Sequence, residues 1–135
     1  MKFAVDSSVI IAGFATWHES HDAAREALDK APLLVAHCAL EAYSVLTRLP
    51  SPFRVAPDVV AAFLRARFPK RPLILPVAVQ SALVPHLVKA GVSGGAVYDA
   101  YVGMTASHHK ATLLTLDVRA QPTYTRVAVR FRALT

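Results

Sequence analysis

Short apolar runs alternate with longer stretches of helical character along this chain, and that alternation limits its possible folds most. Strand-like runs are predicted at Phe3–Val5, Leu33–Ala36, Leu73–Leu75, Thr112–Leu116 and Val127–Phe131. Helices are predicted at Ser8–Phe14, Ser20–Lys30, Ala39–Leu49, Pro57–Phe68, Val77–Ala90 and Ala96–His109. Such alternation is typical of α/β proteins with a mostly parallel sheet. We therefore expect a central sheet of about five strands flanked by helices.

The length and composition of the chain indicate one domain with an apolar interface. A chain of 135 residues has room for one core, so we expect a single domain over residues 1–135. Its hydrophobic content of 54% exceeds the roughly 45–50% of average globular chains, which predicts a subunit or partner interface. No apolar run approaches the roughly 18 residues that span a bilayer, and we expect a cytoplasmic protein without a membrane segment. The lone cysteine, Cys38, has apolar neighbours and is expected to be buried rather than catalytic.

The positive charge of the chain is unevenly distributed. Fifteen Lys and Arg against nine Asp and Glu give a net charge of +6, and the four arginines after Asp117 have no acid among them. This pattern predicts a polyanionic partner such as nucleic acid, although the charges could instead keep an apolar protein soluble. The candidates for contacts with an RNA backbone are Arg65, Arg67, Lys70, Arg71 and Arg119, for which a solvated surface is the alternative.

Four of the nine acidic residues follow predicted strands or begin predicted helices. Asp6 ends the first strand, Glu41 falls in the first turn after the second, Asp99 opens a helix led by two glycines, and Asp117 follows the fourth strand. Each acid taken singly also suits a structural role as a helix cap or a complement to a helix dipole. In a parallel α/β sheet, however, strand ends and helix starts share one edge, where ligands bind. We therefore expect folding to bring these four carboxylates close together.

A cluster of carboxylates at one edge of a sheet predicts a cation site. The carboxylates repel and raise one another's pKa unless a cation neutralises them. Oxygen ligands without His or Cys favour Mg²⁺ or Mn²⁺, and such ions serve the hydrolysis of phosphodiester bonds. The basic surface would then hold the backbone of a nucleic-acid substrate.

Four sequence blocks, in this order and at these spacings, resemble the PIN-domain ribonucleases and, within them, the VapC toxins of bacterial and archaeal toxin-antitoxin pairs. The blocks are VDSSVII, LEAYSVLTRLP, GGAVYDAYVGMTA and LLTLDVRAQPTY, and the likeness runs from Met1 nearly to Thr135. The resemblance implies a PIN-like fold. It also implies the toxin of a type II toxin-antitoxin system, a metal-dependent endoribonuclease that cleaves structured RNA such as tRNA or rRNA.

The resemblance also implies which residues act. By this resemblance, the acidic residues of the family's active site correspond to Asp6, Glu41, Asp99 and Asp117. The three aspartates are expected to bind Mg²⁺ or Mn²⁺ directly or through water, and Glu41 to orient the attacking water or take its proton. Ser7 and Thr115 are expected to add hydrogen bonds to the carboxylates or the scissile phosphate, with ordinary capping and strand roles left open.

The expected assembly and metal count follow from the same resemblance. It implies a homodimer, and with a cognate VapB-like antitoxin that covers the site, a heterotetramer or larger complex. Many relatives carry a further polar or acidic residue shortly after the last aspartate, whereas this chain has Val118 and Arg119. We therefore expect one tightly held ion.

Two other functions remain open at the level of sequence. The first is a nuclease of the same chemistry that acts on DNA or in RNA processing. The second is a non-catalytic module that binds RNA or protein on a degenerate nuclease scaffold, although the presence of all four acids argues against it.

Overall fold

The computed structural model describes residues 1–134, so that Thr135, the last residue of the expected domain, lies outside the described part. Groups of one or more helices separate its strands along the chain. The strands are β1 (Lys2–Val5), β2 (Leu33–Leu34), β3 (Ala111–Thr115) and β4 (Phe131–Ala133). The helices are α1 (Ser7–Phe14), α2 (His21–Asp29), α3 (Ala36–Thr47), α4 (Pro57–Arg67), α5 (Val77–Ser81), α6 (Leu83–Ala90), α7 (Ala96–His108) and α8 (Gln121–Arg126).

The four strands form one sheet in the order β2-β1-β3-β4, and every neighbouring pair is parallel. The predicted α/β class with a parallel sheet is therefore confirmed. The central strands β1 and β3 pair from Lys2 opposite Ala111 to Val5 opposite Leu114. Parallel pairing in this register brings the carboxyl ends of both strands to the same edge of the sheet.

The prediction of a strand at Leu73–Leu75 is wrong. Only Leu73 pairs, in an isolated parallel bridge with Val35, and its backbone N–H donates to the Leu34 carbonyl at 2.8 Å. Pro72 and Pro76 flank the segment. Proline has no N–H to donate to a strand ladder, so the pairing cannot extend in either direction.

Other segments also begin or end elsewhere than predicted, and the second strand ends at Leu34 rather than at Ala36. The expected helix Val77–Ala90 divides into α5 and α6, because Pro85 cannot donate to the carbonyl one turn before it. The expected strand Val127–Phe131 is displaced to β4, since the chain first forms α8, which the sequence did not reveal. Helix α3 begins at Ala36 rather than Ala39, and Glu41 therefore lies in its second turn rather than its first.

The core has two parts, one on each side of α7. The larger cluster packs α1, α2, α3 and α8 against the central strands, with Val5, Ile10 and Leu113 fully buried. A smaller cluster joins α6 to α7 through Leu83, Leu87 and neighbouring residues. Burying a side chain of this size contributes about 1.5–3 kcal/mol, so both clusters hold the helices that carry the acids at fixed positions on the sheet. Within residues 1–134, no helix is both long and apolar enough to cross a membrane.

Candidate active site

The four predicted acids meet at the edge formed by the carboxyl ends of β1 and β3. Asp6 follows β1 directly, and Asp117 lies two residues after β3. Asp99 is in the first turn of α7, and Glu41 is in the second turn of α3. The charges of Asp6, Glu41 and Asp117 all act on Asp99, so folding has brought carboxylates from four separate segments into one electrostatic neighbourhood.

Asp6 is the most firmly held of the four carboxylates. It is 4% exposed and forms the N-cap of α1, where Oδ1 accepts from the backbone N–H of Ser8 at 3.1 Å and from the Ser8 hydroxyl. Its Oδ2 accepts from the hydroxyl of Thr115 and from that of Tyr124, the latter at 2.8 Å. Burial raises the pKa of Asp6, and the hydrogen bonds from Ser8, Thr115 and Tyr124 oppose that rise because they favour the charged form.

One of the two hydroxyl donors expected from the sequence is a different residue in the structure. Thr115 binds a carboxylate, as expected, but the serine that does so is Ser8 and not Ser7. Ser8 also accepts a hydrogen bond from the backbone N–H of Leu116 at 2.9 Å and so connects α1 to the end of β3. The supporting role of Ser7 stays a prediction.

Tyr124 is a site residue that sequence reasoning missed. It is 1% exposed and lies on α8, 118 positions from the carboxylate that it binds. Its ring packs where Gly103 of α7 leaves space, since a Cβ on that glycine would stand 3.1 Å from Cδ1 of Tyr124. Burial raises the pKa of Tyr124, and the charge of Asp6 raises it further, so the phenol remains a donor. The only local signal is a tyrosine in the last resembling block, which does not reveal its partner.

Asp99 and Glu41 are partly buried acids that resist ionisation. Partial burial and the charges of Asp117, Glu41 and Asp6 raise the pKa of Asp99 to about 6. Burial also raises the pKa of Glu41, whereas the nearby His37 imidazole lowers it and the charges of Asp6 and Asp117 raise it. When these acids are ionised, the site therefore carries negative charge that nearby positive groups do not balance.

Asp117 completes the site through a tight local turn. Its backbone N–H donates to the Thr115 hydroxyl at 3.0 Å, and its Oδ1 accepts from the backbone N–H of Arg119 at 2.9 Å. Thr115 therefore contacts both aspartates, as donor to one and as acceptor from the backbone of the other. This arrangement leaves Oδ2 of Asp117 without a protein donor among residues 1–134.

The side chains of the site determine which metal ion it can hold. Across residues 1–134, no three His, Cys, Asp or Glu side chains are placed as the joint ligands of one ion. The nearby carboxylates nevertheless supply only oxygen, and their mutual repulsion would be relieved by a cation. Mg²⁺ keeps several waters and needs only one or two carboxylates. The residues therefore fit a hydrated hard cation better than a dehydrated one.

An aromatic group borders the acids. His37 lies one turn before Glu41 on α3, with Nε2 3.5 Å from Oε1 of that glutamate. Its ring stacks on Tyr98 with centroids 5.7 Å apart and planes 4° apart, and it meets Tyr101 edge-on at 5.3 Å. Cys38, next in the chain, is buried as predicted, and burial raises the pKa of its thiol well above the usual range.

The predicted basic residues lie on the surface, and they differ in whether an acid pairs with them. Arg67 forms an ion pair with Asp29 at 2.7 Å, whereas the others named from the sequence, Arg65, Lys70, Arg71 and Arg119, are exposed. A second cationic surface was not foreseen. Lys2, Lys110 and Arg130 line a cavity of about 380 Å³ at the amino ends of β1 and β3, and none of the described residues that line it is acidic. These three cations come from distant parts of the sequence.

Comparison with known proteins identifies the family of this chain. A model of the PIN domain matches residues 3–126. Ribonuclease VapC40 of Mycobacterium tuberculosis is 49% identical over 132 residues, which cover 98% of both chains. Ribonuclease VapC27 of the same organism is 41% identical, over 93% of this chain and 92% of its own.

The fold has a relative among solved structures. FitAcB from Neisseria gonorrhoeae superposes with a TM-score of 0.67 at 19% identity, covering 96% of this chain and 95% of that one. At that identity the likeness concerns the fold alone. Together with the curated relatives, it confirms the PIN-like fold predicted from the four sequence blocks. The chain belongs to the PIN-domain family, in the branch that contains the VapC ribonucleases.

Proposed function

We propose that this protein is the toxin of a type II toxin-antitoxin system and acts as an endoribonuclease that requires Mg²⁺ or Mn²⁺. The observation that carries the proposal is the meeting of Asp6, Glu41, Asp99 and Asp117 at one edge of the sheet. The chain around them is 49% identical, over nearly its whole length, to a protein named as a ribonuclease. The substrate proposed is structured RNA, of the tRNA or rRNA class.

Asp99, Asp117 and Asp6 would hold the cation. Asp99 has a raised pKa that a cation would lower, and Oδ2 of Asp117 is free for a ligand or a water. Asp6 already accepts four hydrogen bonds from Ser8, Thr115 and Tyr124, so a direct bond to the ion requires one of the hydroxyls to rotate away. A bound Mg²⁺ or Mn²⁺ lowers the pKa of water and offsets the negative charge of the phosphate in the transition state. We expect one ion, because Val118 and Arg119 supply no further carboxylate after Asp117.

Glu41 is the residue best suited to orient the attacking water or accept its proton. It is half-buried, its pKa is raised by that burial, and the His37 imidazole 3.5 Å away favours its charged form. A base with these opposing influences can bind a proton during the reaction and release it afterwards. Attack by water, with the bridging 3′ oxygen as leaving group, produces a 5′-phosphate and a 3′-hydroxyl.

The RNA backbone would contact exposed cations around the domain. Arg65, Lys70, Arg71 and Arg119 are exposed and remain predicted contacts. Arg67 is expected to contribute least, because its guanidinium is already paired with Asp29. The cavity formed by Lys2, Lys110 and Arg130 adds a second candidate surface. Along β1 it lies about 13 Å from the acids, at roughly 3.3 Å per residue, which is within the span of one structured RNA.

Exposed apolar side chains support the proposed partners. Val77, Val84 and Val88 on α5 and α6 are 69–83% exposed, and the last two lie one turn apart on the same face, which supports a homodimer contact. Trp17 and Phe53 pack together at 5.0 Å beside a groove of about 270 Å³, which suits an apolar segment of a VapB-like antitoxin. A dimer bound to two antitoxin chains would form the heterotetramer, or a larger complex.

The test of this function is the chemistry of the product ends. Purified protein is incubated with total tRNA and rRNA in Mg²⁺, and the new ends are mapped by ligation before and after phosphatase treatment. We expect discrete cleavages with 5′-phosphate and 3′-hydroxyl ends that are absent in EDTA. Cyclic phosphate ends, or cleavage of DNA alone, would contradict the proposal.

A further inference from the structure

The aromatic residues beside the acids form an exposed surface that the proposed hydrolysis does not use. Tyr98 precedes Asp99 in the first turn of α7 and is 58% exposed. One face of its ring stacks on His37 with planes 4° apart, and the edge of Tyr101 supports His37 from the side. More than half of the Tyr98 surface stays exposed despite this stacking, so the site has an aromatic platform next to the Asp99 carboxylate.

A groove continues from this platform along α3. It encloses about 290 Å³ and is lined by His37, Leu40, Glu41, Ser44, Val45 and Arg48. These residues repeat every three or four positions, so they form one face of the helix. The groove runs about 16 Å from His37 to Arg48, at 1.5 Å per residue, and ends at a cation that forms no ion pair within residues 1–134.

The order of groups along this surface matches that of a single-stranded nucleotide chain. A planar aromatic face suits a base, because every base has a π-face that stacks on Tyr or His. Carboxylates lie where the scissile phosphate would meet a cation, and the Arg48 guanidinium suits the next phosphates. An acidic peptide would be repelled by Glu41 and Asp99, and a purely apolar segment would leave both carboxylates without partners.

We propose that the Tyr98–His37 platform stacks the nucleobase next to the scissile phosphate, and that the α3 groove guides the adjoining single-stranded nucleotides towards Arg48. This inference rests on the proposed ribonuclease function. It assigns a substrate feature, an unpaired segment of a structured RNA, and it makes Tyr98 a residue that determines where the RNA is cut. His37 acts as a positioning residue, since it holds the Tyr98 ring and contacts Glu41.

The test separates base stacking from catalysis. In an Asp117→Asn background, which silences cleavage, short single-stranded RNAs containing 2-aminopurine are titrated, and quenching of their fluorescence reports stacking. We expect quenching that Tyr98→Phe retains and Tyr98→Ala loses, with binding weakened about 5- to 150-fold. The matched control is Tyr43→Ala, because Tyr43 is an exposed tyrosine of α3 that does not line the groove. It should bind as the parent does.

Cleavage by the active enzyme provides the second measurement. We expect Tyr98→Ala to shift the mapped cleavage positions and to lose base preference beside the cut, whereas Tyr98→Phe and Tyr43→Ala keep the wild-type pattern. If Tyr98→Ala cleaves at the same positions and rate as wild type, the platform is refuted while the ribonuclease function stands. If the 2-aminopurine fluorescence is quenched but neither wild type nor any of these variants cleaves RNA, the platform is supported and the ribonuclease function is refuted. If Tyr98→Ala weakens only the binding of a purified antitoxin, the surface is a protein contact and the inference is wrong.

Discussion

The Tyr124 hydroxyl donates a hydrogen bond to Oδ2 of Asp6 across 2.8 Å, although 118 positions separate the two residues. Both are buried, and the contact connects the short helix α8 to the end of the first strand. A hydrogen bond to a charged acceptor contributes about 1.5–3 kcal/mol. Asp6 is therefore held in place by a residue near the other end of the domain.

Removing that hydroxyl should affect both stability and the titration of Asp6. Tyr124→Phe is expected to lower the free energy of unfolding by about 1.5–3 kcal/mol in urea denaturation. The pKa of Asp6 should rise further, because the Tyr124 bond is one of those that lower it. The acidic limb of the pH-rate profile should then move to higher pH. The exposed Tyr43→Phe serves as control, and equal behaviour of the two variants would show that the Asp6 contact is unimportant.

The stability of the metal-free protein should depend on Asp99. Its pKa is about 6 in the folded state against 3.8 in the unfolded chain, so between these values the folded state binds more protons. The free energy of unfolding therefore falls as pH rises through this window. In EDTA, we expect urea denaturation from pH 4 to 6.5 to show a weaker decline for Asp99→Asn than for wild type. Mg²⁺ should reduce the wild-type decline, because it favours the ionised carboxylate. The prediction fails if the two proteins lose stability in parallel.

The salt dependence of RNA binding should distinguish the cationic surfaces. Each lost phosphate contact reduces the slope of log affinity against log salt by about 1. We expect Lys110→Gln with Arg130→Gln to reduce the slope by about 2, and Arg67→Gln to change it little because Asp29 already binds that guanidinium. Fluorescence anisotropy in the Asp117→Asn background measures these slopes. If Arg67→Gln reduces the slope more than Lys110→Gln with Arg130→Gln does, the cavity is not the surface that contacts the RNA backbone.

The proposed dimer contact can be tested on α6. Val84→Lys combined with Val88→Lys places two charges on the exposed apolar face, which should convert a dimer to a monomer because a buried charge without a partner is costly. Light scattering after size-exclusion chromatography reports the mass. The control is Val59→Lys, because Val59 is an exposed valine of α4. If the double variant is still a dimer, the dimer contact does not lie on this face of α6.

The acids were predictable from the sequence because their positions depend on local rules. Asp6 and Asp117 follow apolar runs that form the central parallel strands, and the topology of such sheets puts strand ends at one edge. Asp99 was placed correctly in the first turn of its helix. For Glu41, the prediction missed by one turn, because α3 starts three residues earlier than expected.

The contacts that support the acids were not predictable, because they depend on tertiary packing. No helix was predicted over the residues that form α8, and so the Tyr124 ring could not be placed beside Asp6. The choice of Ser8 over Ser7 is different, because it is local: Ser8 lies two residues after the N-cap Asp6, where a cap side chain ordinarily accepts a hydrogen bond. The lost strand at Leu73–Leu75 was a different error, since the flanking prolines were visible in the sequence.

The most direct test of the central claim is the rate at which a defined RNA is cleaved by matched acid variants. Single-turnover rates are measured in Mg²⁺ and in EDTA for wild type, Asp99→Asn and Asp22→Asn, the last being an exposed acid in the first turn of α2. Wild type and Asp22→Asn should cleave equally in Mg²⁺ and not at all in EDTA. Asp99→Asn should be slower by at least about 100-fold, the scale of one electrostatic group in catalysis, with unchanged circular dichroism. Equal cleavage by all three proteins, or full activity in EDTA, would contradict a metal-dependent acidic site.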